Sequence, residues 1–254
     1  MAQGPAELRI AGSTALVTGA ARRIGRAVAV ALAGRGANVV VHHRTSVDDA
    51  ARVVKEARVS GVRAWSLRAD LSDPDEVKAL VPRAIEKAGP IGILVNNASV
   101  WPHGPESDAS PCEAVEQLQV NATTPLELTR AVAAQGIAAS VVNMLDARVA
   151  DGDTPQGAYH LSKRMLLDFT LQCAVELAPL VRVNAVAPGL VLPPEGEGGE
   201  YVERLKQTNL LGRAGTVEEV VAAVVFLLEA GFTTGQVIFV DGGRHVKGPT
   251  NARG

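Results

Sequence analysis

Tyr159 and Lys163 are the residues whose types and spacing most directly indicate chemistry in this chain. They stand four positions apart in Tyr-His-Leu-Ser-Lys, and residues at i and i+4 of a helix share a face. A free tyrosine keeps its proton up to a pKa of about 10, and a neighbouring ammonium is expected to lower that pKa. Such a tyrosine can deliver a proton when hydride adds to a C=O or C=N bond. Many helices carry this pair on a solvated face, so the pair alone does not identify an active site.

Asp146 precedes this pair and adds a third chemical group. Its carboxylate can accept hydrogen bonds from N–H groups and take part in proton transfer. The alternative is that Asp146 caps the end of a strand.

A glycine-rich turn near the start of the chain predicts a dinucleotide site. Gly19, Arg22, Arg23, Ile24 and Gly25 follow an apolar run and open an amphipathic segment. Glycines let backbone N–H groups approach a pyrophosphate, and the helix N-terminus adds positive partial charge. Arg23 stands where a third glycine is common, and it places a cation beside the phosphates or beside a polar edge of the substrate.

The end of the second apolar run indicates which dinucleotide is bound. An NAD site usually has an acidic residue here, whereas a 2′-phosphate requires cations and hydroxyls. His43, Arg44 and Thr45 supply that chemistry, so the pattern favours NADP(H) over a plain basic surface turn. Asp70 and Leu71, after the third run, are candidates to hold the adenine edge.

The fourth apolar run ends in Asn97, Ala98 and Ser99, which we expect to shape the floor of the cofactor site. Trp101 follows, at the carboxyl end of a strand, where open α/β sheets place their ligands. Its indole can stack on a flat polar heterocycle. The alternative is that Trp101 anchors the core or a flap.

Short apolar runs alternate with amphipathic segments along the whole chain. Strands are predicted at residues 14–18, 38–42, 63–67, 93–96, 140–144, 182–186 and 236–240. Helices are predicted at residues 24–33, 47–59, 74–87, 114–133, 158–177 and 217–228. The alternation predicts a single α/β domain with a doubly wound, mostly parallel sheet. We expect residues 193–200 to form either a mobile flap or a solvated loop. Residues 1–12 and 247–254 are expected to be flexible.

Composition excludes several classes of function. The 254 residues carry a net charge of −2 and are 47% apolar but only 3% aromatic. This charge gives no electrostatic case for a nucleic acid or an anionic membrane. The two cysteines form no disulfide framework, and no cluster of residues has metal-ligand spacing. We therefore expect a soluble, cytoplasmic protein without a metal.

Taken together, the motifs resemble the short-chain dehydrogenase/reductase family over nearly the whole chain. The matching residues are Thr18, Gly19, Gly25, Asp70, Asn96, Asn97, Ala98, Asn121, Tyr159, Lys163, Pro188, Gly189, Asp241, Gly242 and Gly243. The resemblance implies a Rossmann-type fold with a seven-stranded sheet and helices on both faces. It also implies a dimer or tetramer, for which we expect a homotetramer built on the helices at 114–133 and 158–177. It adds Pro188 and Gly189 to the cofactor site and Leu190 to the substrate site.

Two departures from the family pattern indicate one branch. Most members have serine at the position of Asp146 and glycine at the position of Arg23, and the pteridine and dihydromonapterin reductases have both changes. This resemblance implies NADPH-dependent reduction of dihydrobiopterin, dihydromonapterin or dihydrofolate, with Trp101 stacked on the pterin. Arg23 and Ser99 would contact pterin and phosphate.

The resemblance also implies a role for each catalytic residue. Tyr159 would donate the proton, and Lys163 would hold the nicotinamide ribose and keep Tyr159 acidic. Asp146 would orient Tyr159 and relay its proton, and Asn121 would link Lys163 to solvent through water. Two alternatives remain open: a carbonyl reductase of the same family, and a catalytically silent NADP-binding sensor.

Overall fold

Seven apolar runs form strands, and every pair of neighbouring strands is parallel. The computed structural model describes residues 8–101, 110–151, 157–193 and 198–247. The strands are β1 Thr14–Val17, β2 Asn38–His43, β3 Ala64–Arg68, β4 Ile93–Asn96, β5 Ala139–Met144, β6 Val181–Pro188 and β7 Val237–Val240. Their order in the sheet is β3-β2-β1-β4-β5-β6-β7. The predicted doubly wound fold with a seven-stranded sheet is confirmed.

Helices cover both faces of this sheet. They are α1 Arg23–Gly34, α2 Val47–Val59, α3 Pro74–Ala88, α4 Pro111–Leu118, α5 Thr124–Ala133, α6 Ala158–Glu176, α7 Gly199–Leu205, α8 Val217–Glu229 and α9 Arg244–Lys247. Residues of α1, α2 and α8 form one apolar layer, and residues of α3, α5 and α6 belong to the other. Along β2, Val39 and Val41 enter the first layer and Val40 enters the second. The strand is therefore apolar on both faces, as a buried parallel strand must be.

The order of the strands fixes the position of a binding crevice. The chain passes outward from β1 to β3 and then returns to β4 on the other side of β1. At such a switch point, the loops after neighbouring strands diverge and leave a crevice at the carboxyl edge of the sheet. The loops after β1 and β4 carry the glycine-rich turn and the Asn97–Ser99 segment, so the fold brings both to this crevice.

The predicted long helix at 114–133 is interrupted. A π-helical turn at Gln119–Thr123 separates α4 from α5. Pro125 follows in the first turn of α5, and proline has no N–H to donate to the carbonyl of Asn121, four residues earlier. The helix widens where that hydrogen bond is missing.

Two other predicted segments differ in part from the structure. Helix α7 begins at Gly199, inside the stretch predicted as a loop or flap, whereas residues 194–197 lie outside the described residues. Ile10, in the stretch expected to be flexible, is buried in the core. Within the described ranges, no helix combines the length and apolar character needed to cross a membrane.

Candidate active site

A cavity of about 360 Å³ lies in the crevice at the carboxyl ends of β1 to β4. Predicted cofactor residues form most of its lining, namely Gly19, Arg22, Arg23, Ile24, Gly25, Arg44, Asp70, Leu71, Asn97, Ala98 and Ser99. His42, Val100 and Val120 also line it and were not predicted. The fold thus gathers side chains from the glycine-rich turn and from three later loops around one space.

The glycine-rich turn packs against the loop after β4 without room for side chains. A Cβ atom on Gly19, whose φ is +60°, would stand 2.9 Å from the Cα of Ala98. A Cβ on Gly25 would stand 2.4 Å from both the Asn97 amide nitrogen and the Gly19 carbonyl oxygen. That Asn97 amide donates to the carbonyl oxygens of Thr18 at 2.9 Å and Gly19 at 3.2 Å. The two loops therefore brace each other, and the backbone at the start of α1 stays open to the cavity.

His42 ties this turn to the end of β3. Its Nδ1 accepts the N–H of Gly19 at 3.0 Å, and its Nε2 donates to the carbonyl oxygen of Ala69 at 3.1 Å. Burial lowers the pKa of His42 to about 4, so the ring is neutral at pH 7 and serves as acceptor and donor at once. The alternation of side chains along β2 could have indicated His42. Side chains of a strand point alternately to its two faces, so His42 lies on the same face as Val40, whereas His43 lies on the other face.

Some predicted cofactor residues do not line the cavity: His43, Thr45, Lys163, Pro188 and Gly189. His43 is buried, and its Nδ1 has no hydrogen-bond partner among the described residues. A Cβ on Gly189 would stand 2.8 Å from the Cα of Asp241, so this turn packs against the end of β7. Their roles in cofactor binding remain predictions.

Arg23 extends from the turn toward the opposite side of the site. Its backbone is left-handed, with φ of +53°, which explains why glycine is common at this position. Its guanidinium donates to the carbonyl oxygen of Pro193 at 2.6 Å. Leu190, the predicted substrate residue, lies in the same loop after β6, where its carbonyl oxygen accepts the N–H of Gly215 at 2.8 Å. Arg23 thereby joins the cofactor-side turn to the loop predicted to bind substrate.

Asp146 and Tyr159 are in contact, as predicted. The phenol donates to Oδ2 of Asp146 at 3.4 Å. The other carboxylate oxygen, Oδ1, accepts the backbone N–H of Arg148 at 2.8 Å and caps the short 3₁₀ helix Ala147–Ala150. One oxygen of Asp146 thus caps the backbone and the other contacts the phenol. The cap is observed, whereas the role of Asp146 toward a substrate and in proton transfer remains a prediction.

The predicted effect of Lys163 on Tyr159 is wrong for this structure. Burial, followed by the Asp146 carboxylate, raises the pKa of Tyr159 well above its ordinary value. Lys163 Nζ lies 5.7 Å from the centre of the phenol ring and donates to the carbonyl oxygen of Met144 at 2.9 Å. Burial also lowers the pKa of Lys163 to about 8. In both groups burial disfavours the charged form, and the close carboxylate adds to this effect on Tyr159.

Asn121, presented by the π turn, connects the cavity floor to α6. Its Oδ1 accepts the N–H of Val100 at 2.8 Å and the hydroxyl of Ser99 at 3.1 Å. Its Nδ2 donates to the Val100 carbonyl oxygen at 3.0 Å and to Ser162 Oγ at 3.1 Å. Ser162 lies directly before Lys163 in α6. The structure shows this bracing role, while a water route from Asn121 to Lys163 remains a prediction.

Trp101 lies against the phenol of Tyr159. The ring centres of Trp101 and Tyr159 are 4.3 Å apart at an interplanar angle of 64°. The Arg148 guanidinium carbon lies 5.3 Å from the centre of the indole, and Trp101 remains 41% exposed. Arg148 was not predicted from the sequence. Stacking of the indole on a substrate remains a prediction.

Several known reductases are similar to this chain in sequence or in structure. Residues 19–245 match the family model described as Enoyl-(Acyl carrier protein) reductase. A dihydromonapterin reductase of Escherichia coli is 32% identical, over 91% of this chain and 96% of its own length. A 3-oxoacyl-[acyl-carrier-protein] reductase of Staphylococcus aureus is 31% identical, over 92% and 98%. The crystal structure of FolM alternative dihydrofolate reductase 1 from Brucella canis, complexed with NADP, matches with a TM-score of 0.87. That match has 34% identity and covers 97% of this chain and 99% of the Brucella chain.

Proposed function

The chain belongs to the short-chain dehydrogenase/reductase family, and we propose that within this family it is an NADPH-dependent pteridine reductase. It would convert a dihydropterin, such as dihydrobiopterin, dihydromonapterin or dihydrofolate, to the tetrahydro form. One observation carries the proposal: the Tyr159 phenol donates its hydrogen bond to the carboxylate of Asp146. A carboxylate beside the proton donor suits a ring that carries N–H groups. The dihydromonapterin and dihydrofolate reductases among the similar proteins also support it.

The cavity suits a dinucleotide with a 2′-phosphate. The start of α1 offers backbone N–H groups beside Gly19 and Gly25, where side chains would not fit. Arg44 places a cation at the end of β2, and the Nδ1 of the preceding His43 is buried and has no hydrogen-bond partner in the part of the chain that the structure describes. These residues, with Asp70 at the adenine end, would hold NADPH, which supplies the hydride when bound.

Tyr159 is suited to donate the proton. Burial and Asp146 raise its pKa, so the phenol carries its proton at neutral pH, and transfer to a ring nitrogen needs a group that stabilises the phenolate. Lys163, with a pKa of about 8, is mostly charged at that pH and would stabilise the phenolate that remains. Oδ2 of Asp146, held in place through the capping contact of Oδ1, would orient the phenol and accept an N–H of the substrate.

A carbonyl reductase is the second candidate, and Ser99 favours it. The Ser99 side chain lies close enough to the Tyr159 phenol to offset part of the rise in its pKa. A hydroxyl beside the phenol can bond the oxygen of a ketone, and one similar protein is a 3-oxoacyl reductase. On this reading, Asp146 would serve mainly as a helix cap.

The test is NADPH oxidation followed with 7,8-dihydrobiopterin, dihydromonapterin and dihydrofolate, beside a simple diketone and with NADH as the cofactor control. Turnover of a pterin with NADPH preferred supports the proposal. Turnover of the diketone alone contradicts it and supports the carbonyl reductase. Binding of NADPH without any turnover contradicts both and leaves the silent sensor.

We also propose that the protein is a cytoplasmic homotetramer. Helices α4 and α6 expose several large apolar side chains, namely Val115, Leu161, Leu171 and Val175. A second copy of this chain is the occupant proposed for this surface, because it would bury the same residues from both partners. Sedimentation equilibrium tests this assembly, and a monomer at micromolar concentration would contradict it.

A further inference from the structure

Four side chains, the proposed proton donor Tyr159 among them, contact one another in a closed ring. Tyr159 donates to Asp146 at 3.4 Å, and Asp146 Oδ1 lies 3.5 Å from Nε of Arg148. The Arg148 guanidinium carbon lies 5.3 Å from the centre of the Trp101 indole. The indole in turn lies 4.3 Å from the centre of the Tyr159 ring. Arg148 is the member of this ring for which the proposed reaction has no role.

Arg148 touches both neighbours of the catalytic phenol at the same time. Its backbone N–H and its Nε approach the same carboxylate oxygen of Asp146, which leaves Oδ2 turned toward Tyr159. Its guanidinium faces the indole of Trp101. Resting on the proposed function, we propose that Arg148 is a positioning residue for the reduction, which holds the Asp146 carboxylate and the Trp101 indole around Tyr159.

The planar guanidinium is what this position requires. A guanidinium can stack on an aromatic face and direct an N–H toward a carboxylate in one fixed geometry. An ammonium supplies a point charge on a flexible stem, so lysine would keep the charge but lose the stack. The side chain of Arg148 is only 30% exposed and that of Asp146 only 22%, which limits solvent screening of this contact.

Arg148 also balances the charge that faces the phenol. The groups around Tyr159 are Asp146 and Arg148 from the loop after β5, Ser99 from the loop after β4, and Lys163 and His160 from α6. Asp146 favours the protonated phenol, and Arg148 acts in the opposite direction. Removal of the cation alone therefore leaves the carboxylate unopposed, and Tyr159 will lose its proton only at higher pH.

The experiment compares Arg148→Gln and Arg148→Lys with wild type and with a matched control. The control is Arg35→Gln, because Arg35 forms an exposed ion pair with Glu229 at 3.9 Å, at the C-terminal end of α1 away from the cavity. Kinetics with the best substrate give kcat, KM and the alkaline limb of the pH profile. Acrylamide quenching in a Trp65→Phe background reports the accessibility of Trp101 alone.

For Arg148→Gln, we expect kcat to fall roughly tenfold to a hundredfold with KM for NADPH unchanged. Its alkaline limb should move to higher pH, and Trp101 should be quenched more strongly. Arg148→Lys should keep the limb near that of wild type but show the stronger quenching. Arg35→Gln should match wild type in every readout.

The proposal is overturned if Arg148→Gln has the same alkaline limb and the same Trp101 quenching constant as wild type, even if its kcat falls. The proposed function fails separately, if wild type reduces only the diketone. In that case the pH profile is taken with the diketone, and together with the quenching it still decides the role of Arg148.

Discussion

The carboxylate of Asp146 stands 3.4 Å from the phenol of Tyr159, and it makes that phenol harder to ionise. Tyrosine with lysine four residues later is commonly taken to mean an acidified tyrosine. In this site, burial and the Asp146 carboxylate have the largest effects on the pKa of Tyr159, and they raise it. The contact therefore helps to keep Tyr159 protonated at neutral pH.

Asp146→Ser should abolish pterin turnover and spare NADPH affinity. Loss of the carboxylate removes the acceptor for the substrate N–H, and it also removes one cause of the raised pKa of Tyr159. The alkaline limb of any residual activity should therefore lie at lower pH than the alkaline limb of wild type. Steady-state kinetics across pH and a fluorescence titration with NADPH measure these effects. Full pterin activity in this variant would rule out the role of Asp146.

His42→Gln should make the protein less sensitive to acid. In wild type the pKa of His42 in the folded protein, about 4, lies below the ordinary histidine pKa of 6.5, so the unfolded chain binds more protons between these two pH values. Stability is then fully present above pH 6.5 and decreases as pH falls toward 4, by at most about 3 kcal/mol. Glutamine can keep an acceptor toward Gly19 and a donor toward Ala69 without titrating.

Urea unfolding of this variant at pH 7 and at pH 4.5 measures the effect, with Lys55→Gln, at an exposed position of α2, as the surface control. The His42 variant should lose less stability between the two values than wild type and the control. Equal losses in all three proteins would contradict the prediction.

Lys163→Met should be inactive but more stable at neutral pH. The burial that lowers the pKa of Lys163 to about 8 means that its charge opposes folding at pH 7. Methionine removes that cost and should add roughly 1–2 kcal/mol to the free energy of unfolding. Above pH 8 the folded lysine is mostly neutral while the unfolded lysine still binds a proton, so wild type recovers stability as pH rises. The gap between the two proteins should be smaller at pH 9.5 than at pH 7 in chemical denaturation.

Gly25→Ala should weaken NADPH binding and destabilise the protein, whereas Gly34→Ala should not. A Cβ on Gly25 would lie 2.4 Å from Asn97 and from the Gly19 backbone, while a Cβ on Gly34 in the same helix meets nothing within 4 Å. The first change must separate the two loops that frame the cavity. The second should stabilise α1 by about 0.5–1 kcal/mol. Thermal melts and NADPH titrations compare the two variants, and equal behaviour would contradict the argument.

The sheet could be predicted from the sequence because buried parallel strands are short, apolar and bounded by turns. Runs such as Ile93–Asn96 begin and end where the pattern placed them. The π turn could not be predicted from periodicity, since a widened turn keeps apolar residues on the same side of the helix. Pro125 was its one local signal.

Within the site, residue types indicated the participants but not their contacts. The pairing of Asp146 with Tyr159 was predicted, yet the pKa of Tyr159 was predicted in the wrong direction, because burial cannot be read from spacing. Arg148 was missed because an arginine after a strand usually lies in solvent. Only the packed structure shows that it faces both Asp146 and Trp101.

The left-handed backbone of Arg23 has a consequence for how this position can evolve. An L-residue in that conformation is strained by roughly 1–2 kcal/mol, and glycine would be free of that strain. Folding alone would thus select glycine at position 23. A lineage that keeps arginine here must retain it for what the guanidinium contacts, either the Pro193 carbonyl oxygen or a ligand in the cavity that Arg23 lines. Replacement by glycine is therefore the mutation to expect in a descendant that needs neither contact.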